Sequence, residues 1–366
     1  MAGSGFGTNF RITTWGETHG AGVGVVVDGC PAGLPLERED VQKYLDRRKP
    51  GQSKYTTQRK EGDQVEILSG IFEGRTTGTP ISMVVYNKDQ RSKDYSNIKD
   101  IYRPGHADFT FDMKYGFRDY RGGGRSSGRE TIGRVAAGAV AAKVLKELGI
   151  EIKAYAKAIA GIEVSKDHFD FAEMNNNPFN MPDKEAAKLV QEKADQMIQE
   201  MDSIGGIIEC QITGMPVGIG ETVFDKLDAE LSKAIMSIGS VKGFEIGDGF
   251  EAANLRGSEN NDDFICIDGK VEKETNHSGG VLGGMSDGSA IVFRAAIKPT
   301  PSIAQTQKTV NRDLDNVEIE IHGRHDPMIV PRAVVVVESM AAVTILDGVL
   351  KNLGATMDNI KKIYGE

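Results

Sequence analysis

Arg121-Gly-Gly-Gly-Arg-Ser-Ser-Gly-Arg-Glu-Thr-Ile-Gly-Arg134 is the stretch around which the rest of the chain can be read. Three consecutive glycines let the backbone turn sharply and approach a bound group with no Cβ in the way. Ser127, followed three residues later by Glu130, has the spacing of a capping box and predicts a helix start. Small and apolar residues recur from Val135 through Ala139, Val140 and Val144 to Leu148 at helical spacing, which predicts a buried helix. The N-terminus of such a helix carries unpaired N–H groups and a partial positive charge. Arg121, Arg125, Arg129 and Arg134 surround that end, and Lys114 and Arg118 lead into it. Six cations converging there predict an anion site, with phosphate the best fit. An arginine-glycine tract that is solvated or touches RNA is the competing reading. The alanine-rich helix that follows at once speaks against it.

The 366 residues are 27% charged and 39% hydrophobic, the composition of a globular protein with a large core. With 44 basic against 53 acidic residues the net charge is −9, so the basic cluster is local and nucleic acid is a poor partner. Cys30, Cys210 and Cys266 are far apart and form no CxxC pair, which argues against a zinc site and for a reducing compartment. The opening residues lack a signal-peptide pattern, and no apolar run approaches twenty residues, so a cytoplasmic protein without a membrane partner is expected. Glu338 interrupts the apolar stretch Val334–Val343, which therefore predicts a buried helix.

Phe10–Trp15 and Val23–Val27 predict short strands around Gly16-Glu-Thr-His-Gly20. His19 thus lies on a turn, where it reads either as a satisfied structural histidine or as an acid/base residue. Leu36–Arg48 predicts an amphipathic helix whose last turn, Arg47-Arg48, precedes a Pro-Gly stop. The helix dipole alone explains that basic end, but Lys54, Arg59 and Lys60 continue the positive run. Val65–Phe72 and Ile81–Val85 predict a hairpin. The polar segment Asn87–Tyr120 shows little periodicity and is read as functional or mobile; it holds a second histidine on a turn, His106. Ile159–Val164 and Ile207–Thr213 predict strands, and Ala186–Met201 an amphipathic helix. Gly214-Met-Pro-Val-Gly218 repeats the pattern of Gly29-Cys-Pro-Ala-Gly33, each after a strand and before an acidic helix, which suggests an internal duplication within one domain spanning residues 1–366. Short strands, hairpins and loosely alternating helices predict an α+β fold.

Three groups of residues together resemble the chorismate synthase family: Gly16-Glu-Thr-His-Gly with Asp28-Gly-Cys-Pro, Gly124-Arg-Ser-Ser-Gly-Arg-Glu-Thr with Arg134-Val, and Gly323-Arg-His-Asp-Pro with Glu338. They stand in the family's order and spacing, and the similarity runs from Phe6 to about Leu353. The resemblance implies helices sandwiched between antiparallel sheets, a homotetramer, and the 1,4-anti elimination of phosphate from 5-enolpyruvylshikimate 3-phosphate to give chorismate. It also implies a need for reduced FMN without net redox change. No G-x-G-x-x-G opens a βαβ unit, so NADPH is expected to act only as an indirect reductant through a separate flavin reductase.

The residue types suit that chemistry. A substrate with one phosphate and two carboxylates needs several cations, and its acid/base steps need groups near neutral pKa, such as His19 and His106. By resemblance, His19, His106 and Asp326 are catalytic. Arg125, Ser126, Ser127, Gly239, Ser240, Gly283, Lys298, Pro299, Thr300, Pro301, Ser302 and Arg324 match flavin-binding positions; Arg48 and Lys54 match a pair that binds substrate or nucleotide phosphate, and Arg129 a substrate-binding position. Lys54 stands where many relatives have Arg, and Gly239-Ser240 where many have Asn-Ala. His168, His277, His322 and His325 are read as structural or surface histidines. A non-catalytic RNA- or phospholigand-binding protein using the same loop is the alternative, and the −9 charge and two turn histidines argue against it.

Overall fold

Valine- and isoleucine-rich segments bounded by glycine form two five-stranded antiparallel sheets with helices packed between them, in a computed structural model that describes residues 3–57, 61–88, 99–321 and 326–365. The first sheet contains β1 (Gly5–Phe6), β2 (Arg11–Gly16), β3 (Gly22–Asp28), β4 (Val65–Ile67) and β7 (Ile81–Tyr86) in the order β1-β2-β3-β7-β4. A small hairpin, β5 (Ile71–Phe72) with β6 (Arg75–Thr76), precedes β7. The second sheet contains β8 (Glu151–Ile159), β9 (Ile162–Glu163), β10 (Gly206–Thr213), β11 (Val241–Ile246) and β16 (Ile291–Ile297) in the order β11-β16-β10-β8-β9. Three more hairpins complete the strands: β12 (Phe264–Ile267) with β13 (Lys270–Lys273), β14 (Val281–Leu282) with β15 (Met285–Ser286), and β17 (Thr306–Val310) with β18 (Asn316–Glu320).

The helices are α1 (Arg38–Arg48), α2 (Asp108–Tyr115), α3 (Thr131–Glu147), α4 (Lys184–Gln199), α5 (Leu227–Met236), the single turn α6 (Gly257–Asn260), α7 (Val330–Lys351) and α8 (Met357–Tyr364). α3 lies on the first sheet, α7 on the second, and the two pack on each other to form the centre of the molecule. Small residues on α3 permit this. A Cβ on Gly138 would stand 2.3 Å from the Cβ and 2.5 Å from the Cα of Ser339, and one on Gly133 would stand 2.9 Å from the carbonyl of Gly24. By length and apolarity α7 could cross a membrane, yet most of it is buried inside the protein, as the sequence predicts. Asp347 on α7 anchors the N-terminal strands, one of its oxygens accepting from the backbone of Thr8, Asn9 and Phe10 at 2.6–3.0 Å.

The internal duplication is present in full. The strand order β2-β3-β7-β4 recurs as β8-β10-β16-β11, α1 and α5 follow equivalent strands, and α3 and α7 follow β7 and β16. The two G-x-P-x-G turns are fastened identically. The Thr76 hydroxyl donates to the Pro31 carbonyl (2.6 Å) and accepts from Leu34 N–H (3.0 Å). The Ser286 hydroxyl donates to the Pro216 carbonyl (2.6 Å) and accepts from Ile219 N–H (2.9 Å). Gly33 N–H donates to Thr76 O, and Gly218 N–H to Ser286 O, each at 2.8 Å.

Several boundaries differ from the sequence reading. Ser127 does cap, but through Arg129 N–H on a 3-10 turn (Gly128–Glu130), and α3 proper begins at Thr131. Glu130 does not close a capping box; its carboxylate takes the Thr14 hydroxyl (2.8 Å) and Arg134 (2.8 Å) instead. The hairpin expected across 65–85 is split, because only Val65–Ile67 pairs with β7 while β5–β6 folds separately. The strand expected at Ile159–Val164 is mainly Glu151–Ile159, whose mixed pattern lacks a clean alternation since Tyr155 on its outer face is also covered. The polar segment before Tyr120 contains α2, a helix that apolar periodicity could not reveal because it buries Asp108 and Asp112 and exposes Phe109, Met113 and Tyr115.

Candidate active site

Two long connections occupy equivalent places in the repeats. One leaves β7 and returns as α3, the other leaves β16 and returns as α7. They meet beside the sheets. Ile101 bridges Asn311, Tyr102 N–H donates to Val310 O (3.1 Å), and Arg312 N–H donates to Asp100 O (2.8 Å). Arg103 grips Asp108 with Nε at 2.7 Å and Nη2 at 2.8 Å, fixing the turn that carries His106.

His106 is the point of contact. Its Nδ1 lies 2.9 Å from the Pro104 carbonyl and its Nε2 2.9 Å from Ser302 Oγ. A carbonyl can only accept, so Nδ1 carries the proton, and Nε2 of the neutral ring accepts from the serine hydroxyl. Burial, followed by the positive charge of Arg103, lowers the His106 pKa and keeps the ring neutral near pH 7. Gly105 (φ +69°) lies against the second connection: a Cβ there would stand 2.6 Å from Pro301 Cβ, and its carbonyl accepts from Lys298 Nζ at 3.1 Å. Two segments that the sequence singles out separately therefore form one surface. Lys298 N–H donates to Ser240 O (2.9 Å), which draws Gly239-Ser240 to the same turn; Ser240 has φ +72°. The Thr300 hydroxyl oxygen is buried and has no hydrogen-bond partner among the described residues.

A second cluster gathers the arginines. Arg48 is 2% exposed, and burial pulls its pKa down to about 10 against the opposing pull of Asp63. Asp63 Oδ2 pairs with Arg48 Nη2 and Asp63 Oδ1 with Arg129 Nη1, both at 2.9 Å. Glu61 also pairs with Arg129. Arg48 Nη1 donates to Gly128 O (3.1 Å), tying α1 to the start of α3. Arg332 donates to the Arg48 carbonyl (3.0 Å) and to Asp326 Oδ2 (2.7 Å), and Asp326 Oδ1 accepts from Thr57 N–H (2.8 Å). Arg48, Arg129 and Asp326 are thus members of one polar network. The two clusters adjoin through Ser203-Ile204, since Ser203 Oγ donates to Thr300 O (2.6 Å) and Ile204 N–H to Pro327 O (3.0 Å).

His19 sits on the arginine loop. A Cβ on Gly122 would stand 2.6 Å from its Cδ2 and 2.7 Å from its Nε2, so only glycine leaves space for the ring. Asn87 ties this turn to the arginines. Its Nδ2 donates to Glu17 O (2.9 Å) and Gly20 O (2.8 Å), while its Oδ1 accepts from Arg129 Nε (2.6 Å).

The six cations do not form an open cradle. Arg118 pairs with Asp112, Arg121 with Asp119 and Arg134 with Glu130, at 2.6–2.8 Å. Lys114 lies over the Tyr115 ring. Arg125 closes the loop onto β2, donating to Gly16 O (3.1 Å), Thr14 O (3.1 Å) and Thr14 Oγ1 (2.7 Å). Ser126 Oγ donates to Gly123 O (2.6 Å), and Ser127 Oγ accepts from Arg129 N–H. Lys54 stands apart, with its exposed ammonium 2.8 Å from Asp195 on α4. Gly283 is also remote within the chain: it lies before β16 and Lys298 after it, with a strand of about 20 Å between them. Arg59, Lys60, His322, Arg324 and His325 lie outside the described residues. Among the other histidines, His277 pairs with Asp248 at 2.6 Å, consistent with a structural part, and His168 is on the surface. Glu338 serves structure, receiving Arg47 at 2.6 and 2.9 Å.

Sequence reading missed Asp63, Glu61, Asn87, Arg103 and Arg332. Only Arg332 carried a signal, its place in the first turn of a buried helix two residues past Val330.

The α+β sandwich thus carries two turn histidines and two buried arginines, each of which keeps a donor without a hydrogen-bond partner among the described residues. Residues 10–350 match the family model described as chorismate synthase, and the chain belongs to that family. It is 68% identical over 364 residues to the chorismate synthase of Lachnospira eligens, with all of both chains covered. It is 56% identical to that of Chloroflexus aurantiacus, over 96% of each chain, and 56% identical to that of Methanococcoides burtonii, over 96% of this chain and 97% of the other. A crystal structure of a chorismate synthase superposes with a TM-score of 0.77 at 31% identity, covering 98% of this chain and 96% of that one. The protein is accordingly an enzyme of that type, a lyase of aromatic biosynthesis.

Proposed function

We propose that the chain eliminates phosphate from 5-enolpyruvylshikimate 3-phosphate to give chorismate with reduced FMN, at the surface where the two connections meet. The contact between His106 Nε2 and Ser302 Oγ carries this reading, because it joins an acid/base residue to the turn matched to the flavin. The flavin fits that turn. Thr300 presents a buried hydroxyl without a partner, Lys298 supplies a cation, and Ser240 and Pro301 flank them. When bound, reduced FMN supplies electron density to the reacting system and recovers it, so no net oxidation occurs.

The chain's own residues divide the remaining work. Arg48 and Arg129 hold substrate anions, for which Arg48 Nε and Arg129 Nη2 are suited as buried donors lacking hydrogen-bond partners among the described residues. The C–H bond breaks at one carbon and the C–O bond to phosphate at another, while the intervening π system shifts. Asp326, oriented by Thr57 and Arg332, assists removal of the proton. His106 manages proton traffic at Nε2, and His19 faces the leaving phosphate as its acid partner. Arg125, Ser126, Ser127 and Gly239 would complete the flavin surface, and Arg324, outside the described residues, is assigned to the flavin by resemblance alone. Lys54 and Gly283, remote in the single chain, would act in a homotetramer whose neighbouring copies supply what one chain does not.

The same proposal makes the enzyme a single domain, supported by one continuous core from Phe10 to Leu346. It places the enzyme in the cytoplasm, with a separate reductase using NADPH to supply reduced flavin, and without nucleic-acid or membrane partners. The test is a titration of the purified chain with FMN and 5-enolpyruvylshikimate 3-phosphate. A flavin absorbance change that requires both ligands is the expected result. Tight, salt-sensitive RNA binding with no flavin response would instead favour the phospholigand-binding alternative.

A further inference from the structure

We infer that Asp63 is a positioning residue of the substrate site: it holds Arg48 and Arg129 together as one anion receptor. The inference rests on the assignment of those two arginines to substrate anions made above. Four observations carry it. The Asp63 side chain is fully buried, at 0% exposure, and its two oxygens are divided between two guanidinium groups. A carboxylate that merely neutralised one arginine would take it in the bidentate fork; division between two draws like charges together. Both arginines are themselves nearly enclosed, with side chains 2% and 8% exposed.

The network is also incomplete. Arg48 Nε and Arg129 Nη2 are buried with no hydrogen-bond partner among the described residues. Buried polar networks that serve only stability satisfy their members, so two leftover donors on adjacent arginines indicate that an anionic acceptor completes them. The backbone supports the same conclusion. Asp63 has φ +42°, a left-handed conformation unusual for a residue with a side chain, and such conformations gather where a site over-determines its geometry. Finally, further donors of the two arginines hold neighbouring elements. Arg48 holds Gly128 and Thr131 at the start of α3, and Arg129 Nε holds Asn87, which in turn clamps the His19 turn. Among the described residues, Asp63 is the one acidic group bonded to both arginines, while Glu61 reaches Arg129. Substrate anions bound at the leftover donors would therefore meet two guanidinium groups already fixed in mutual orientation, which reduces the ordering cost of binding.

The test measures substrate affinity, by the flavin absorbance change with oxidised FMN present, together with FMN affinity, kcat and Tm, in the full-length protein and in Asp63→Asn. The expected result is a substrate Kd raised about 10–100-fold, with FMN Kd within about twofold and kcat at saturating substrate lowered far less than kcat/KM. If Asp63→Asn fails to fold, Asp63→Glu keeps the charge on a longer arm and is expected to fold while binding substrate about tenfold more weakly. A folded variant that binds substrate with the wild-type Kd, or one whose loss falls on kcat alone, overturns the inference. Failure of both variants to fold also overturns it, by making the carboxylate structural. Arg48→Ala and Arg129→Ala are measured alongside. If they leave substrate Kd unchanged, the substrate assignment itself fails; if they weaken it and Asp63→Asn does not, only the role of Asp63 fails.

Discussion

The two repeats share a scaffold and differ in what they mount on it. One rung of each sheet shows the contrast. In the first, Trp15, Gly24, Val84 and Glu66 stand side by side across β2, β3, β7 and β4; in the second, Tyr155, Glu209, Arg294 and Glu245 take the corresponding places. Indole lies over glycine in one, where a Cβ on Gly24 would stand 2.4 Å from the ring. In the other the Tyr155 hydroxyl donates to Glu209, and Arg294 bridges Glu209 (2.9 Å) and Glu245 (3.1 Å). Burial, reinforced by the Glu209 carboxylate, pushes the Tyr155 hydroxyl well above its ordinary pKa. Either rung holds its sheet, so side-chain identity there is free to drift. Both repeats keep a hydroxyl at the G-x-P-x-G turn, where it satisfies the buried Leu34 N–H in one and the buried Ile219 N–H in the other. Of the candidate site residues, His106, Arg125 and Arg129 lie on the connection that leaves β7 and the Lys298–Ser302 turn and Asp326 on the one that leaves β16, while His19 stands on the β2–β3 turn and Arg48 ends α1.

If the site belongs to the connections and not to the scaffold, substitutions should separate cleanly. The largest effect is expected at the histidines. His106→Ala and His19→Ala should each slow turnover about 10²–10⁴-fold while Tm changes little, because both rings sit on turns. Steady-state kinetics and a melting curve on the same sample check this, and normal turnover with a collapsed Tm would assign the histidine to structure. Next come the arginines: Arg48→Ala or Arg129→Ala should weaken substrate binding by about 1.5–3 kcal/mol, the scale of a charged hydrogen bond lost.

The scaffold should respond in the opposite way. Thr76→Val and Ser286→Ala should each cost about 1–3 kcal/mol of stability by leaving a buried N–H unpaired, with kcat nearly unchanged. Denaturant unfolding reads the loss, and clearly unequal costs in the two repeats would break the equivalence drawn here. The smallest effect is in pH dependence. The His106 pKa is lowered in the fold, so below about pH 6.5 the unfolded chain binds the extra proton first. That stability contribution is complete above the unfolded pKa and is lost as pH falls through the folded one. Between about pH 6.5 and 5, wild-type Tm should therefore fall more than that of His106→Gln, and parallel curves would contradict the assignment.

The scaffold was largely legible. Alternating strands, the α3 and α7 helices and the repeated turn motif are local patterns, and the duplication follows from them. Of the proposed site, the sequence singles out the parts concentrated in short segments: His19, His106 and Lys298–Ser302. It was illegible where partners come from afar. Asp63 and Asn87 have no motif of their own, and Asn87 reaches Arg129 across 42 residues. The cations in and just before the arginine-glycine stretch look free in sequence for the same reason, but Arg118, Arg121 and Arg134 are paired with Asp112, Asp119 and Glu130. Charge counted along a chain cannot show which charges the fold has already paired.

The most direct measurement is phosphate release under anaerobic conditions. The chain is given 5-enolpyruvylshikimate 3-phosphate with dithionite-reduced FMN, and separately with oxidised FMN and NADPH in the dark. Many turnovers with the flavin still reduced in the first mixture, and almost none in the second, is the predicted result. No phosphate release with reduced FMN bound, or flavin oxidised in step with product, would contradict a redox-neutral elimination at this site.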